Sequence, residues 1–285
     1  MLLPRGGRST PAACPVSAWP QRGLGAYRET VPHAPTAGTV AWMSRAEHEV
    51  PTTQSWLTPT EAGALGGMRY TKRRSEFLLR RWTGKHALAT TVGLPLDLQA
   101  LARIEVANRP SGAPYVRVDG MPLQVDISIS DRAGYAVCVV APHRSRVGCD
   151  LEIVEPRSAG FVEQFLTSAE QSYVRSRPWS ARDMAANLIW SAKESALKVL
   201  HTGLRRDTRS VEVVLGTGPE TTGWTGLEIR TVEGRLFPGW WRRDGVFLVT
   251  CAADGPLPAP VTLAGSVDLR EQEPVHSWVS RPLWP

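Results

Sequence analysis

Two strand-like runs and one uninterrupted helical run confine the middle of this chain to a mixed fold. Tyr135-Ala-Val-Cys-Val-Val140 is apolar and β-branched, and after a polar turn Arg146-Val-Gly-Cys-Asp-Leu-Glu-Ile-Val154 reads as a second strand. Side chains two apart on a strand share a face, so Asp150 and Glu152 project together. Met184 to Leu200 is rich in Ala, Leu, Glu and Lys and holds neither Pro nor Gly, which predicts a helix ending near Gly203. Trp190, Glu194 and Lys198 stack along one side of it. If that side lies over the strand, Glu194 becomes a third carboxylate beside Asp150 and Glu152, with Lys198 one turn further on.

Three oxygen ligands of this kind suit magnesium bound through substrate phosphates and water rather than zinc, and so point to phosphoryl chemistry. The lysines add weight. Only four of the 33 basic residues are lysines, at 72, 85, 193 and 198, and two of them flank Glu194. A chain this biased toward arginine keeps a compact ammonium where a flat guanidinium would not serve equally well. Either segment alone has a plainer reading, as a solvated strand face or an ordinary i,i+4 helix pair. Their conjunction is what carries the argument.

Gly148-Cys-Asp-Leu-Glu152 on a strand, followed some forty residues later by Trp190-Ser-Ala-Lys-Glu-Ser-Ala-Leu-Lys198 on a helix, resembles the signature of the 4'-phosphopantetheinyl transferases. In length the chain is most similar to the large monomeric branch that activates peptide and polyketide synthases. The resemblance extends over roughly Trp56 to Ala253. It implies an α+β fold, a pseudo-dimer of two similar α/β halves, with coenzyme A and Mg2+ in the cleft between them. The implied reaction moves the phosphopantetheine arm of coenzyme A onto a serine of an apo acyl, polyketide or peptidyl carrier protein and releases 3',5'-ADP. By motif, Asp150, Glu152 and Glu194 would be the metal ligands. Lys198 would neutralise charge on the leaving 3',5'-ADP, and Lys193 would help hold the phosphates. For the base, Glu170 in Phe165-Leu-Thr-Ser-Ala-Glu170 matches a family position proposed for that role, and Glu194 acting through water competes with it. Glu170 also reads as a helix N-terminal acid after a cap at Thr167 or Ser168.

In the first half, Lys72-Arg-Arg-Ser-Glu-Phe-Leu-Leu-Arg-Arg-Trp82 is an amphipathic helix with an arginine-rich side. The resemblance places such a helix against the 3'-phosphate of coenzyme A, with Arg80 as the phosphate-binding arginine and Arg73 as its companion. Asn108-Arg-Pro-Ser-Gly-Ala-Pro114 is a turn-rich stretch expected to approach the nucleotide. The family's Ser-x-Ser-His-Ser is replaced by Ser128-Ile129-Ser130-Asp131, with Ile129 taken to stand at the histidine position. Ser128 and Ser130 keep hydroxyls for the coenzyme, and Asp131 reads as a turn residue.

The net charge of +6 and the absence of a helix-turn-helix, zinc or RNA-binding signature favour an acidic protein partner over nucleic acid. No run of about 20 apolar residues suggests a membrane span. Four scattered cysteines fit a reduced, cytoplasmic protein, and the resemblance implies a monomer. We expect residues 1–42 to be a disordered leader or a misassigned start, with Met43 as the alternative initiator. Residues 43–145 form an N-terminal half, 146–257 a C-terminal half, and 258–285 a tail without a role. No internal repeat is visible in residue identity, although the family fold implies a structural one joined near Pro142 to Arg146. A host rich in secondary metabolism, including antibiotic biosynthesis, fits the arginine bias and family branch. The rival functions are a Mg2+-dependent nuclease and a non-catalytic carrier-protein or coenzyme A binder.

Overall fold

In the computed structural model, residues 38–221 and 223–275 are described, so the expected leader as far as residue 37 and the end of the tail lie outside the described residues. In chain order the elements are β1 (Ala41–Ala46), α1 (Pro59–Gly66), α2 (Thr71–Val92), α3 (Leu98–Ala102), β2 (Ile104–Asn108), β3 (Pro114–Val118), β4 (Met121–Pro122), β5 (Val125–Arg132), β6 (Tyr135–Pro142) and β7 (Val147–Ile153). They continue with α4 (Ala159–Phe165), α5 (Ser168–Ser176), α6 (Trp179–Val199), β8 (Val211–Thr221), β9 (Trp224–Thr231), β10 (Leu236–Asp244), β11 (Phe247–Ala253) and β12 (Val261–Thr262). Both expected strands and both expected helices form, each helix longer than its apolar pattern suggested.

The strands make three sheets, ordered β12-β1-β6-β5, β7-β11-β10-β9-β8 and β2-β3-β4. β6 is buried along almost its whole length, and its two faces serve different cores. Ala136, Cys138 and Val140 face a core with α2, whereas Tyr135, Val137, Val139 and Ala141 join Val147, Cys149, Leu151 and Ile153 of β7 in a second core. A third lies between α6 and the larger sheet. With its odd-numbered residues in the second core, β7 turns Gly148, Asp150 and Glu152 toward α6, as the two-residue period requires.

The expected outer boundaries shift. β1 starts at Ala41, and Trp42 is buried, its ring at a T-shaped angle to Trp224 and its Nε1–H donating to Thr262 Oγ1 at 2.9 Å. A boundary after residue 42 would therefore cut this strand. The tail is also built in: β12 pairs in parallel with β1, Leu269 is buried, and Val275 N–H donates to Ala133 O.

The halves repeat one device, and here residue identity does recur. Leu57-Thr-Pro-Thr-Glu61 and Leu166-Thr-Ser-Ala-Glu170 each open a short helix with a capping box, the threonine hydroxyl and glutamate carboxylate reciprocally holding backbone N–H groups. Glu61 also accepts from Val106 N–H at 3.0 Å and Glu170 from Val213 N–H at 2.7 Å. A lysine of the following long helix, in Trp82-Thr-Gly-Lys85 or Trp190-Ser-Ala-Lys193, completes each cluster at 2.6 and 2.8 Å. Both lysines are fully buried, and each spends its other protons on two carbonyls, Trp56 O and Leu101 O or Thr208 O and Val211 O. Three converging acceptors suit a compact ammonium.

Removing one member strands the other as a buried charge. Lys85→Met is expected to cost about 3–5 kcal/mol in urea unfolding, and Lys85→Met with Glu61→Leu to recover much of that loss. Next to Lys85, buried His86 donates Nδ1–H to Trp82 O at 2.9 Å. Burial pushes the imidazole down to about 4 from 6.5. The unfolded chain therefore binds the proton first, and stability present at pH 7 is lost as the pH falls from 6.5 toward 4. Between pH 7 and 4.5 the native protein should lose about 2–3 kcal/mol more than His86→Leu does, measured by urea titration at each pH.

Candidate active site

The site forms where β5 of one sheet and β7 of the other lie together under the C-terminal half of α6. Ser128 Oγ accepts from Cys149 N–H at 2.9 Å, and Ser130 Oγ donates to Asp150 Oδ1 at 2.8 Å. Lys198 reaches down from α6 and donates to Ser130 Oγ at 2.9 Å, Cys149 O at 2.7 Å and Asp150 Oδ1 at 3.0 Å. Burial opposes its charge, but Asp150, Cys149 and Glu194 together outweigh that and hold the ammonium above the ordinary lysine range.

Helix and strand come this close because of Gly148. A Cβ there would lie 2.0 Å from Ser195 O and 3.0 Å from Lys198 Cβ, so the glycine of Gly-x-Asp-x-Glu sets the depth at which α6 sits.

Trp190 and Lys198 reach the β7 side of α6, and the charges of Asp150 and Glu152 are felt at Glu194, as the helical spacing predicted. Burial, with the neighbouring charge of Asp150, pushes Glu194 up to about 7, and burial followed by Asp150 raises Glu152. Among the described residues no three His, Cys, Asp or Glu side chains form a ready-made metal cage. Two of the three acids nevertheless keep an oxygen in reserve: Asp150 Oδ2 and Glu194 Oε1 are buried without a hydrogen-bond partner. Unsatisfied carboxylate oxygens that repel one another fit a divalent, oxygen-seeking ion. Glu152 is different, its Oε1 accepting from Trp190 Nε1–H at 3.2 Å and its Oε2 lying 3.2 and 3.4 Å from Arg132 and Arg157.

Beside this cluster opens a cleft of about 1380 Å³. Its wall combines Arg80 and Arg81 of α2, the Asn108–Ala113 turn, Ser128 and Ser130, the His143–Arg146 turn, and Lys198 with Arg205 beyond α6. So many cations around one opening suit a polyanion. The turn-rich stretch at 108 does reach this cleft, as do Arg80, Ser128, Ser130 and Lys198. Arg73 is not on its wall; its guanidinium lies 6.0 Å from the Tyr70 ring. Lys193 and Glu170 are also off it, committed to the buried pair, with both Glu170 oxygens engaged.

Two corrections concern the first half. Counted from Ser128, the fourth position of Ser-x-Ser-His-Ser is Asp131, and Ile129 instead faces the first core. A Cβ on Gly84 would lie 2.8 Å from Ile129 Cδ1. Asp131 is no turn residue but belongs to β5 and ion-pairs with Arg80 at 2.5 Å. Sequence reasoning also passed over Arg81. Only 8% exposed, it lines the cleft, donates to Asn108 Oδ1 at 2.9 Å, and has a buried Nε without a hydrogen bond. Burial lowers it to about 10. Its place beside Arg80 in the basic run was the available signal. Arg109, Arg144 and Arg146 come from turns and Arg205 from a short 3-10 helix, and no local pattern announced their convergence.

These features describe an α+β protein whose acidic, lysine-bearing seam faces a basic cleft. Residues 146–231, the stretch carrying β7, α6 and both motifs, match the family model of the 4'-phosphopantetheinyl transferase superfamily. Two solved structures are similar in part. A holo-(acyl-carrier-protein) synthase from Bacillus anthracis str. Ames, in complex with CoA (3',5'-ADP), is 22% identical, with 36% of this chain and 94% of that one covered at a TM-score of 0.31. The Thermotoga maritima holo-[acyl-carrier-protein] synthase is 19% identical, with 45% and 74% covered at a TM-score of 0.30. No curated protein matches the chain.

Gly148→Ala should force α6 off β7 and cost about 3 kcal/mol or more. A thermal melt checks this, and an unchanged melting temperature would contradict the close approach described here.

Proposed function

We propose that this protein transfers the 4'-phosphopantetheine arm of coenzyme A to a serine of an apo acyl, polyketide or peptidyl carrier protein and releases 3',5'-ADP. The observation that carries the reading is the Lys198–Asp150–Ser130 cluster, with unsatisfied oxygens on Asp150 and Glu194, at the edge of an arginine-walled cleft. Arg80, with Arg81, would bind coenzyme phosphates by forked hydrogen bonds, and Ser128 and Ser130 would border the nucleotide.

Mg2+ would be held by acids among Asp150, Glu152 and Glu194, and when bound it supplies charge neutralisation and polarisation of a phosphoryl oxygen. The carrier serine oxygen forms a bond to the phosphorus that bears the pantetheine arm, and the bond from that phosphorus to the 3',5'-ADP oxygen breaks. Lys198, already protonated and fixed by three acceptors, faces the negative charge that develops on the departing phosphate. The serine proton must leave as its oxygen attacks. With both Glu170 oxygens engaged, Glu194 is left of the two candidate bases to pass that proton to water. Lys193 then acts from outside the cleft, by fixing the rotation of α6, and Arg73, off the wall, is given no role. The net charge of +6 favours encounter with an acidic carrier. We place this activity in a cytoplasmic monomer serving polyketide or nonribosomal peptide assembly; no helix among the described residues is long and apolar enough to cross a membrane.

The direct test is the intact mass of an apo carrier protein after incubation with this protein, coenzyme A and Mg2+. A gain of about 340 Da, lost with EDTA, is expected. No gain with acyl and peptidyl carriers alike would overturn the reading. Asp150→Ala and Glu194→Ala should each lower the rate by about a hundredfold or more while leaving circular dichroism unchanged.

A further inference from the structure

The three acids of the seam are not equivalent. Asp150 gives one oxygen to Ser130 and Lys198 and keeps the other, buried, without a partner; Glu194 likewise keeps a buried Oε1 unpartnered. Glu152 keeps nothing back. Its Oε1 accepts from Trp190 Nε1–H, and its Oε2 lies against two guanidiniums.

Those guanidiniums belong to a wider lattice. Arg132 ends β5 and also pairs with Glu155 at 2.6 Å. Arg157, in the chain leaving β7, pairs with Glu155 at 3.3 Å, donates Nε–H to Asn187 Oδ1 of α6 at 2.6 Å, and lies over the Phe161 ring of α4. Asn187 in turn donates to Glu155 O at 2.7 Å. Glu152 therefore joins β5, β7 and α6 through Trp190, which packs against Phe161 and Phe165. Turning its carboxylate toward an ion would leave Arg132 and Arg157 sharing a single acid, Glu155, and leave the Trp190 N–H without its acceptor.

Resting on the reading that this seam binds a divalent cation, we propose that Asp150 and Glu194 are the protein ligands and that Glu152 is a positioning residue, holding Trp190 and the two arginines. Two carboxylates leave several coordination positions for water and substrate phosphate, as a hard cation at a phosphoryl site requires. Glu152 acts on the site through the Trp190 face of α6, one turn before Glu194.

The test measures Mn2+ binding to the full chain by electron paramagnetic resonance, without coenzyme or carrier. Asp150→Asn and Glu194→Gln should each weaken binding about tenfold or more, because each removes a ligand charge. Glu152→Gln should weaken it by at most about threefold, the effect of a charge screened beyond contact, and should leave the bound Mn2+ spectrum unaltered. It should also lower the melting temperature and shift Trp fluorescence, because a neutral amide holds the arginines poorly. Glu152→Asp, which keeps the charge, should recover part of that shift. Loss of Mn2+ affinity in Glu152→Gln equal to that in Asp150→Asn, or a changed Mn2+ spectrum in a folded Glu152→Gln, would overturn the assignment while leaving the proposed transferase activity standing. Absence of Mn2+ binding by the unaltered chain would overturn the cation site itself.

Discussion

The rest of the structure depends on two ammonium groups without access to water. Lys85 and Lys193 are tolerable in the interior only because each meets a carboxylate and two carbonyls, and those acceptors come from segments far apart in sequence. Each lysine therefore fixes a long helix to a short capped helix and the chain around an edge strand. In the second half the consequence is functional. With Lys193 turned toward β8, the helical repeat carries Trp190 and Lys198 around to β7, and Gly148 lets α6 settle until Lys198 reaches Asp150.

The duplicated device carries chemistry on one side only. After the buried lysine the first half has His86, held neutral by burial and bonded back to its own helix; the second half has Glu194, with an oxygen left over. The two halves thus place unlike groups at and beside one opening. Arginines of the wall come largely from α2, the turn after β2 and the turn between β6 and β7, whereas Asp150 of β7 and Glu194 of α6 lie beside the opening, reached from it through Lys198 and Ser130. Such a division suits a reaction that must hold a polyanion on one side and stabilise changing phosphate charge on the other.

What the sequence made legible was whatever depends on one element or on two elements of fixed period. The strand alternation of Asp150 and Glu152, the helical stacking of Trp190 and Lys198, and the Thr167 cap are local rules, and the structure keeps them. The repeat was missed because its matching residues are few and separated, and only the lysine–glutamate pairing shows that Leu-Thr-x-x-Glu and Trp-x-x-Lys belong together. Glu170 had its cap read correctly, whereas its partner Lys193 was read as a phosphate ligand; which way a lysine points from a helix is decided by tertiary packing. The same holds for Asp131, whose pairing with Arg80 joins strand to helix, and for residues 258–275, whose place is set by pairing with β1 rather than by any period of their own.

The seam also shows why a site of this kind cannot be optimised for stability. Asp150 and Glu194 keep oxygens buried and unsatisfied, and their like charges raise the cost of ionising Glu194. A hydrophobic or amide side chain at either position would relieve that strain, whereas two carboxylates with open oxygens are the donor set that the proposed hard cation would need. The surrounding lattice compensates. Lys198 neutralises one side of Asp150, the Glu152–Arg132–Arg157–Glu155 network ties β5 to β7, and the buried Lys193–Glu170 pair keeps α6 from rotating away. Stability lost at two oxygens is thus offset by contacts on neighbouring faces of the same helix and strand, which is how a fold can carry broken local rules at a candidate site.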